Sequence, residues 1–249
     1  MSHRGEAVCT SKLQAVPGHD EKKVPSMTDT IRAVVFDMDG LMFNTEDVYT
    51  ECGSTLLRRR GHEFGTELKN AMMGIPARLG FEIMIQRHQL DDTAEQLLAE
   101  SNAVFLEIVD SIIKPLPGLM ELLDALEREG MPKAIATSTT WSLARPCLEP
   151  FGLLERFEFV LTGDDFKHGK PHPEVYLTAA ERLGFPPEQI LVLEDSENGC
   201  RSAAAAGTFA VAVPGEHSQG HDFSGARMII DSLEDQRLYD RLGIERPSG

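Results

Sequence analysis

Five short runs of consecutive apolar residues punctuate the chain: Ala33–Phe36, Ala134–Ala136, Phe159–Leu161, Ile190–Leu193 and Phe209–Val213. None of them alternates with polar positions, a pattern that suits strands buried on both faces of a parallel sheet. Met228–Ile230 predicts a further short strand at the edge. Between the runs the apolar spacing changes to that of helices. Leu119, Leu122, Leu123 and Leu126 form one stripe, and Gly130 supplies the stop. Val175, Ala179 and Leu183 repeat the spacing over Glu174–Leu183 before Gly184, and the alanine-rich stretch Gly199–Ala206 ends at Gly207. Strands alternating with helices predict an α/β fold with an open, doubly wound parallel sheet.

One interval breaks this rhythm. Between Thr45 and Lys114 there is no strand pattern, only amphipathic stretches such as Leu79–Met84 and Ala94–Val109, and Pro115 and Pro117 mark the return to the sheet. The expected organisation is therefore a core of residues 29–44 and 115–249 with a helical insertion over 45–114. Residues 1–28 are polar, lack the apolar centre of a secretory signal and read as a flexible leader, with Met27 a candidate natural start.

Composition narrows the function classes. A chain of 249 residues with 41% hydrophobic and 26% charged residues can bury a full-sized core. The formal charge of −16 argues against nucleic acid or an anionic membrane as a partner, since both recruit clustered Lys and Arg. A small anionic substrate responds only to the local field and stays open. Cys9, Cys52, Cys147 and Cys200 are scattered and form no metal-binding or redox pair, which together with the lack of a membrane-length apolar run predicts a cytoplasmic protein with free thiols.

The chemistry sits at the ends of the strands. The first strand runs into Asp37-Met38-Asp39-Gly40, and the fourth into Glu194-Asp195. In open parallel sheets ligands bind outside the carboxyl ends of the strands. Asp39-Gly40 alone is an ordinary turn, and Asp195 alone an ordinary helix cap. Acids at two such strand ends suggest a shared site for a hard cation, and oxygen ligands suit Mg2+. Thr137-Ser138-Thr139 closes the second strand and offers hydroxyls and amides to a phosphate. Three carboxylates, a divalent ion and a phosphomonoester of charge about −2 leave a net of about −3. A lysine is then chemically needed, and Lys170, in Gly169-Lys170-Pro171 after the third strand, is the candidate.

These residues, in this order, resemble the four motifs of the haloacid dehalogenase superfamily, and the resemblance extends from about Ile31 to Ile230. The runs Phe36–Glu46 and Leu193–Gly199 are similar to the branch that holds β-phosphoglucomutase and many sugar and nucleotide phosphatases. The resemblance implies that the helical insertion is a cap domain. It implies that Asp37 attacks phosphorus, that Asp39 acts as acid and then as base, and that Thr137 and Lys170 complete the catalytic set. Asp37, Asp39 (through its carbonyl), Glu194 and Asp195 would hold the Mg2+ cofactor, while Gly40, Thr45, Arg78 and Ser138 would contact substrate. The expected activity is a magnesium-dependent phosphatase of small phosphorylated metabolites, sugar or nucleoside monophosphates.

A hexose-phosphate mutase is the alternative within enzymes. It is disfavoured because no Lys or Arg lies between His88 and Ile113, because Ala77 stands where the mutase has an arginine, and because Tyr49 stands where it has a histidine. Asn44 replaces an acid common in this branch. An inactive ligand-binding or regulatory protein on the same fold is the alternative from another class; no motif residue is missing. The oligomeric state is left open, with a monomer expected. Arg58-Arg59-Arg60 reads as a charged helix face, His217 and His221 as loop residues, and His168 and His172 as solvent-facing neighbours of Lys170.

Overall fold

The computed structural model describes Met1 and residues 30–72, 75–218 and 220–247. Residues 2–28 of the expected leader, with Met27, lie outside the described residues. Six parallel strands form one sheet in the order β3-β2-β1-β4-β5-β6. They span Ala33–Phe36 (β1), Lys133–Ala136 (β2), Val160–Leu161 (β3), Ile190–Glu194 (β4), Phe209–Ala212 (β5) and Met228–Ile229 (β6). Val34 and Phe36 of β1 enter one hydrophobic cluster, while Ala33 and Val35 enter the cluster on the opposite face. Leu191 and Leu193 of β4 divide from Ile190 and Val192 in the same way. This two-sided burial is why the strands read as unbroken apolar runs.

The central strand β1 pairs with β2 on one side and with β4 on the other. The chain order reverses direction there, which opens a crevice at the carboxyl end of β1. Asp37 is the first residue past that end.

Four helices, α1 (Thr45–Arg59), α2 (Thr66–Met72), α3 (Ala77–His88) and α4 (Ala94–Ile112), fill the interval between β1 and the next core helix, α5 (Leu119–Arg128). The arginine triplet ties this insertion to itself. Arg58 pairs with Glu51, Arg59 with Glu100, and Arg60 makes a fork to Asp92 at 2.8 Å and reaches Glu100 at 2.6 Å. Thr93 begins α4 with a capping box in which Gln96 answers its backbone amide.

Asn44 joins the two strands of chain that enter and leave the insertion. Its carbonyl oxygen accepts from the Lys114 amide at 2.6 Å, and its amide nitrogen donates to Asp47 at 2.9 Å and to the Ile112 carbonyl at 3.3 Å. An aspartate here would keep the first bond, lose both donors and face the Asp47 carboxylate. The departure at this position is thus explained by a local need for an N–H donor.

The remaining helices are α6 (Trp141–Leu148), α7 (Glu174–Leu183), α8 (Glu197–Ala205) and α9 (Gln236–Leu242). Helix α8 starts two residues before the alanine-rich pattern does, because the Ser196 side chain caps it by accepting from the Gly199 amide. Cys52, Cys147 and Cys200 are buried free thiols, and burial pushes the first two up to about 11 and about 12. Among the described residues no helix is long and apolar enough to cross a membrane.

Candidate active site

Four strand ends and the loops after them bring the sequence-predicted acids and Lys170 into one cluster. Asp37 follows β1, Thr137 follows β2, Lys170 stands on the loop after β3, and Glu194 closes β4. Lys170 Nζ donates to Asp37 Oδ1 at 2.5 Å, to Glu194 Oε1 at 2.6 Å and to the Ala136 carbonyl at 3.1 Å. Carboxylate oxygens of Asp37, Glu194 and Asp195 all lie within 4.8 Å of one another.

Glu194 is fully buried and fully engaged. Its Oε1 accepts from Lys170 and from the Tyr176 hydroxyl at 2.6 Å, and its Oε2 accepts from the Ser196 amide and hydroxyl at 3.2 and 2.9 Å. A Cβ on Gly199 would fall on the Glu194 carboxylate, so only glycine fits the first turn of α8. Gly40 is restricted in the same way. Its φ is +73°, and a Cβ there would strike the Asp195 carboxylate. Gly199→Ala is therefore expected to destabilise the protein by about 1–3 kcal/mol through overpacking, against a helix-propensity gain of at most about 1 kcal/mol. It should also weaken divalent-ion binding by displacing Glu194. Thermal melts with and without Mg2+ check both effects.

Asp39 has a different environment. Its Oδ2 accepts from the hydroxyls of Thr137 at 2.9 Å and Thr139 at 2.8 Å, while its Oδ1 is buried with no hydrogen-bond partner. One oxygen is locked and the other is left for a proton or a ligand. Tyr49 of α1 is half-buried beside this pair, and desolvation followed by the Asp39 charge pushes its hydroxyl well above the ordinary range. It stays protonated.

Electrostatics explain why the cluster asks for more positive charge. Burial, then repulsion from Glu194 and Asp39, holds Asp37 well above the ordinary carboxylate range despite Lys170. Asp195 is raised by burial, then by Asp37 and Glu194. Burial opposes the Lys170 charge, yet Asp37 and Glu194 outweigh it, and the lysine stays protonated. One cation cannot neutralise three acids in so dry a place. The donor set is oxygen-only and closely spaced, with an orphaned acceptor alongside, and this fits a hard divalent ion.

Above the cluster opens a cleft of about 670 Å3, lined among others by Asp37, Asp39, Ser138, Lys170 and Asp195. Glu46, Asn198, His217 and His221 contribute a polar rim. The other predicted contacts are elsewhere. The Gly40 amide is already bonded to the Phe43 carbonyl and the Thr45 hydroxyl, and Thr45 is wholly buried beneath that turn. Arg78 pairs with Glu82 and Glu95 on the insertion and does not line the cleft. Sequence reasoning missed Tyr176 and the role of Thr139, although the threonine run after β2 held a signal for the latter.

The chain matches the family model of haloacid dehalogenase-like hydrolases over residues 34–213. It is 33% identical over 177 residues to a phosphorylated carbohydrates phosphatase of Thermotoga maritima, covering 71% of this chain and 82% of that one. A fructose-1-phosphate phosphatase of Escherichia coli is 29% identical over 187 residues, with 75% and 98% covered. The crystal structure of CbbY from Rhodobacter sphaeroides in complex with phosphate superposes with a TM-score of 0.72 at 27% identity, covering 82% of this chain and 95% of that one.

Proposed function

This chain belongs to the haloacid dehalogenase-like hydrolases, and from that premise we propose that it is a magnesium-dependent phosphatase of small hydroxyl-rich metabolites that works through a phosphorylated Asp37. The observation that carries the proposal is the Asp37–Lys170 pair at 2.5 Å, set among Glu194 and Asp195 at the floor of an open cleft.

Asp37 and Asp195 would hold the ion, with Glu194 fixing Lys170 behind them. When bound, the cation supplies charge neutralisation for the phosphoryl oxygens and the attacking carboxylate. The protein's own residues carry the steps. An Asp37 oxygen attacks phosphorus, and the ester P–O bond breaks. The leaving oxygen takes a proton from Asp39 through its unpartnered Oδ1, while Thr137 and Thr139 hold Oδ2 still. Water then attacks phosphorus, gives a proton back to Asp39, and releases inorganic phosphate and free Asp37. Lys170 and Ser138 hold the phosphoryl group in place.

The rim of Glu46, Asn198, His217 and His221 suits a leaving group with several hydroxyls, such as a sugar or a nucleoside. The helical insertion acts as the cap over that cleft, hinged at the Asn44–Lys114 bond. A panel of phosphorylated sugars and nucleoside monophosphates, assayed for phosphate release with Mg2+, tests the reading. Release from several sugar or nucleoside phosphates is expected. Conversion of β-glucose 1-phosphate to glucose 6-phosphate faster than phosphate release would make the protein a mutase. Tight binding without turnover across the panel would make it a binding protein.

A further inference from the structure

His168 and His172 flank Lys170, yet they turn away from the cleft and toward each other. Their rings lie 4.5 Å apart, and neither lines the cleft. Glu174, the first residue of α7, sits between them. His168 Nδ1 is 2.7 Å and His172 Nδ1 3.9 Å from Glu174 Oε2. Ligand atoms of all three residues fall within 4.8 Å of one another.

We propose that His168, His172 and Glu174 form a second metal site, for a borderline transition ion such as Zn2+, that staples the turn carrying Lys170. Two imidazoles and one carboxylate are a donor set for zinc, nickel or copper and a poor one for magnesium. Zinc–ligand bonds of about 2.0–2.1 Å put tetrahedral ligands roughly 3.4 Å apart. The observed 2.7 and 3.9 Å separations bracket that value, so small ring movements suffice. The side chains of His168 and His172 are 63% and 51% exposed, which leaves room for such movements.

The protonation states also suit a cation. His172 Nδ1 accepts from the Glu174 backbone amide at 3.3 Å, so this nitrogen carries a lone pair rather than a proton, and a small ring rotation turns it from that amide toward a metal. His168 needs only to move its proton from Nδ1 to the other ring nitrogen. Glu174 is fixed by the amides of Lys167 and His168, both at 3.0 Å, which hold its carboxylate between the two rings. The Ser202 hydroxyl holds the His172 carbonyl at 2.7 Å and anchors the turn to α8.

Zinc titration calorimetry on the full chain in excess Mg2+ tests the site. The wild type and Asp195→Asn should both show it, and His168→Ala and His172→Ala should each bind at least about tenfold more weakly, as loss of a supporting contact alone can do. Both histidine variants should keep the wild-type melting temperature in EDTA and the wild-type magnesium-dependent turnover. Equal zinc affinity in the wild type and the two histidine variants would overturn the proposal. So would loss of the site in Asp195→Asn, which would assign the zinc to the acid cluster of the cleft.

Discussion

Asp37→Asn is expected to lower phosphate release by at least about a thousandfold, the scale seen when a covalent nucleophile is removed, while leaving the protein as stable as before or more so. The two halves of this result have one cause. Asp37 is held well above the ordinary carboxylate range, first by burial and then by Glu194 and Asp39. A group with a raised folded-state pKa binds its proton more tightly in the fold than in the unfolded chain. Stability is therefore lost as pH rises from the ordinary carboxylate range through the raised value, and Asp37, once ionised, is a liability. The amide is neutral, nearly the same shape, and still accepts from Lys170. In metal-free buffer its melting temperature should equal or exceed that of the wild type. A variant that is inactive because it is unfolded would show the opposite shift.

The second large effect is that of the divalent ion. Chelation should abolish turnover, and Mg2+ should raise the melting temperature of the wild type in a concentration-dependent way. An ion at about one hundred times its dissociation constant stabilises by about 2.7 kcal/mol. Asp195→Asn should flatten that dependence. Asp195 is raised by burial, Asp37 and Glu194 together, and it is one of the three acids whose oxygens converge. Glu194 is a poorer choice for this test, because both of its oxygens are already engaged by Lys170, Tyr176 and Ser196. Its loss would disturb the lysine as well as the ion. Turnover that survives chelation, with a melting temperature indifferent to Mg2+, would remove the metal from the account.

Much of this arrangement was legible in the residues. Strands buried on both faces announce themselves as unbroken apolar runs, and Ala33–Phe36 is observed with those same ends. Acids directly after such runs must gather at one edge of a parallel sheet, which is why Asp37, Glu194 and Asp195 could be placed together. What stayed hidden depends on how helices cross. Tyr176 reads as one more apolar position of α7, and its hydroxyl finds Glu194 only because that helix packs over β1 and β2, beside the end of β4. Helix α1 was obscured by Cys52 and Gly53 within its stripe, and α9 by its length of 7 residues.

Arg78, which the family resemblance places at the substrate, is paired here with Glu82 of its own helix and with Glu95 of α4. The arginine triplet is likewise spent on acids of α1, of α4 and of the turn before α4. In a chain of net charge −16, a surface arginine has many acidic partners nearby, and sequence order does not say which one it meets.

Acid quenching during turnover, followed by peptide mass mapping, tests the central claim most directly. The account predicts a phosphoryl group on the peptide that carries Asp37, present only with Mg2+ and absent from Asp37→Asn. A phosphoryl group on any other residue, or turnover with no phosphorylated enzyme at any quench time, would contradict it.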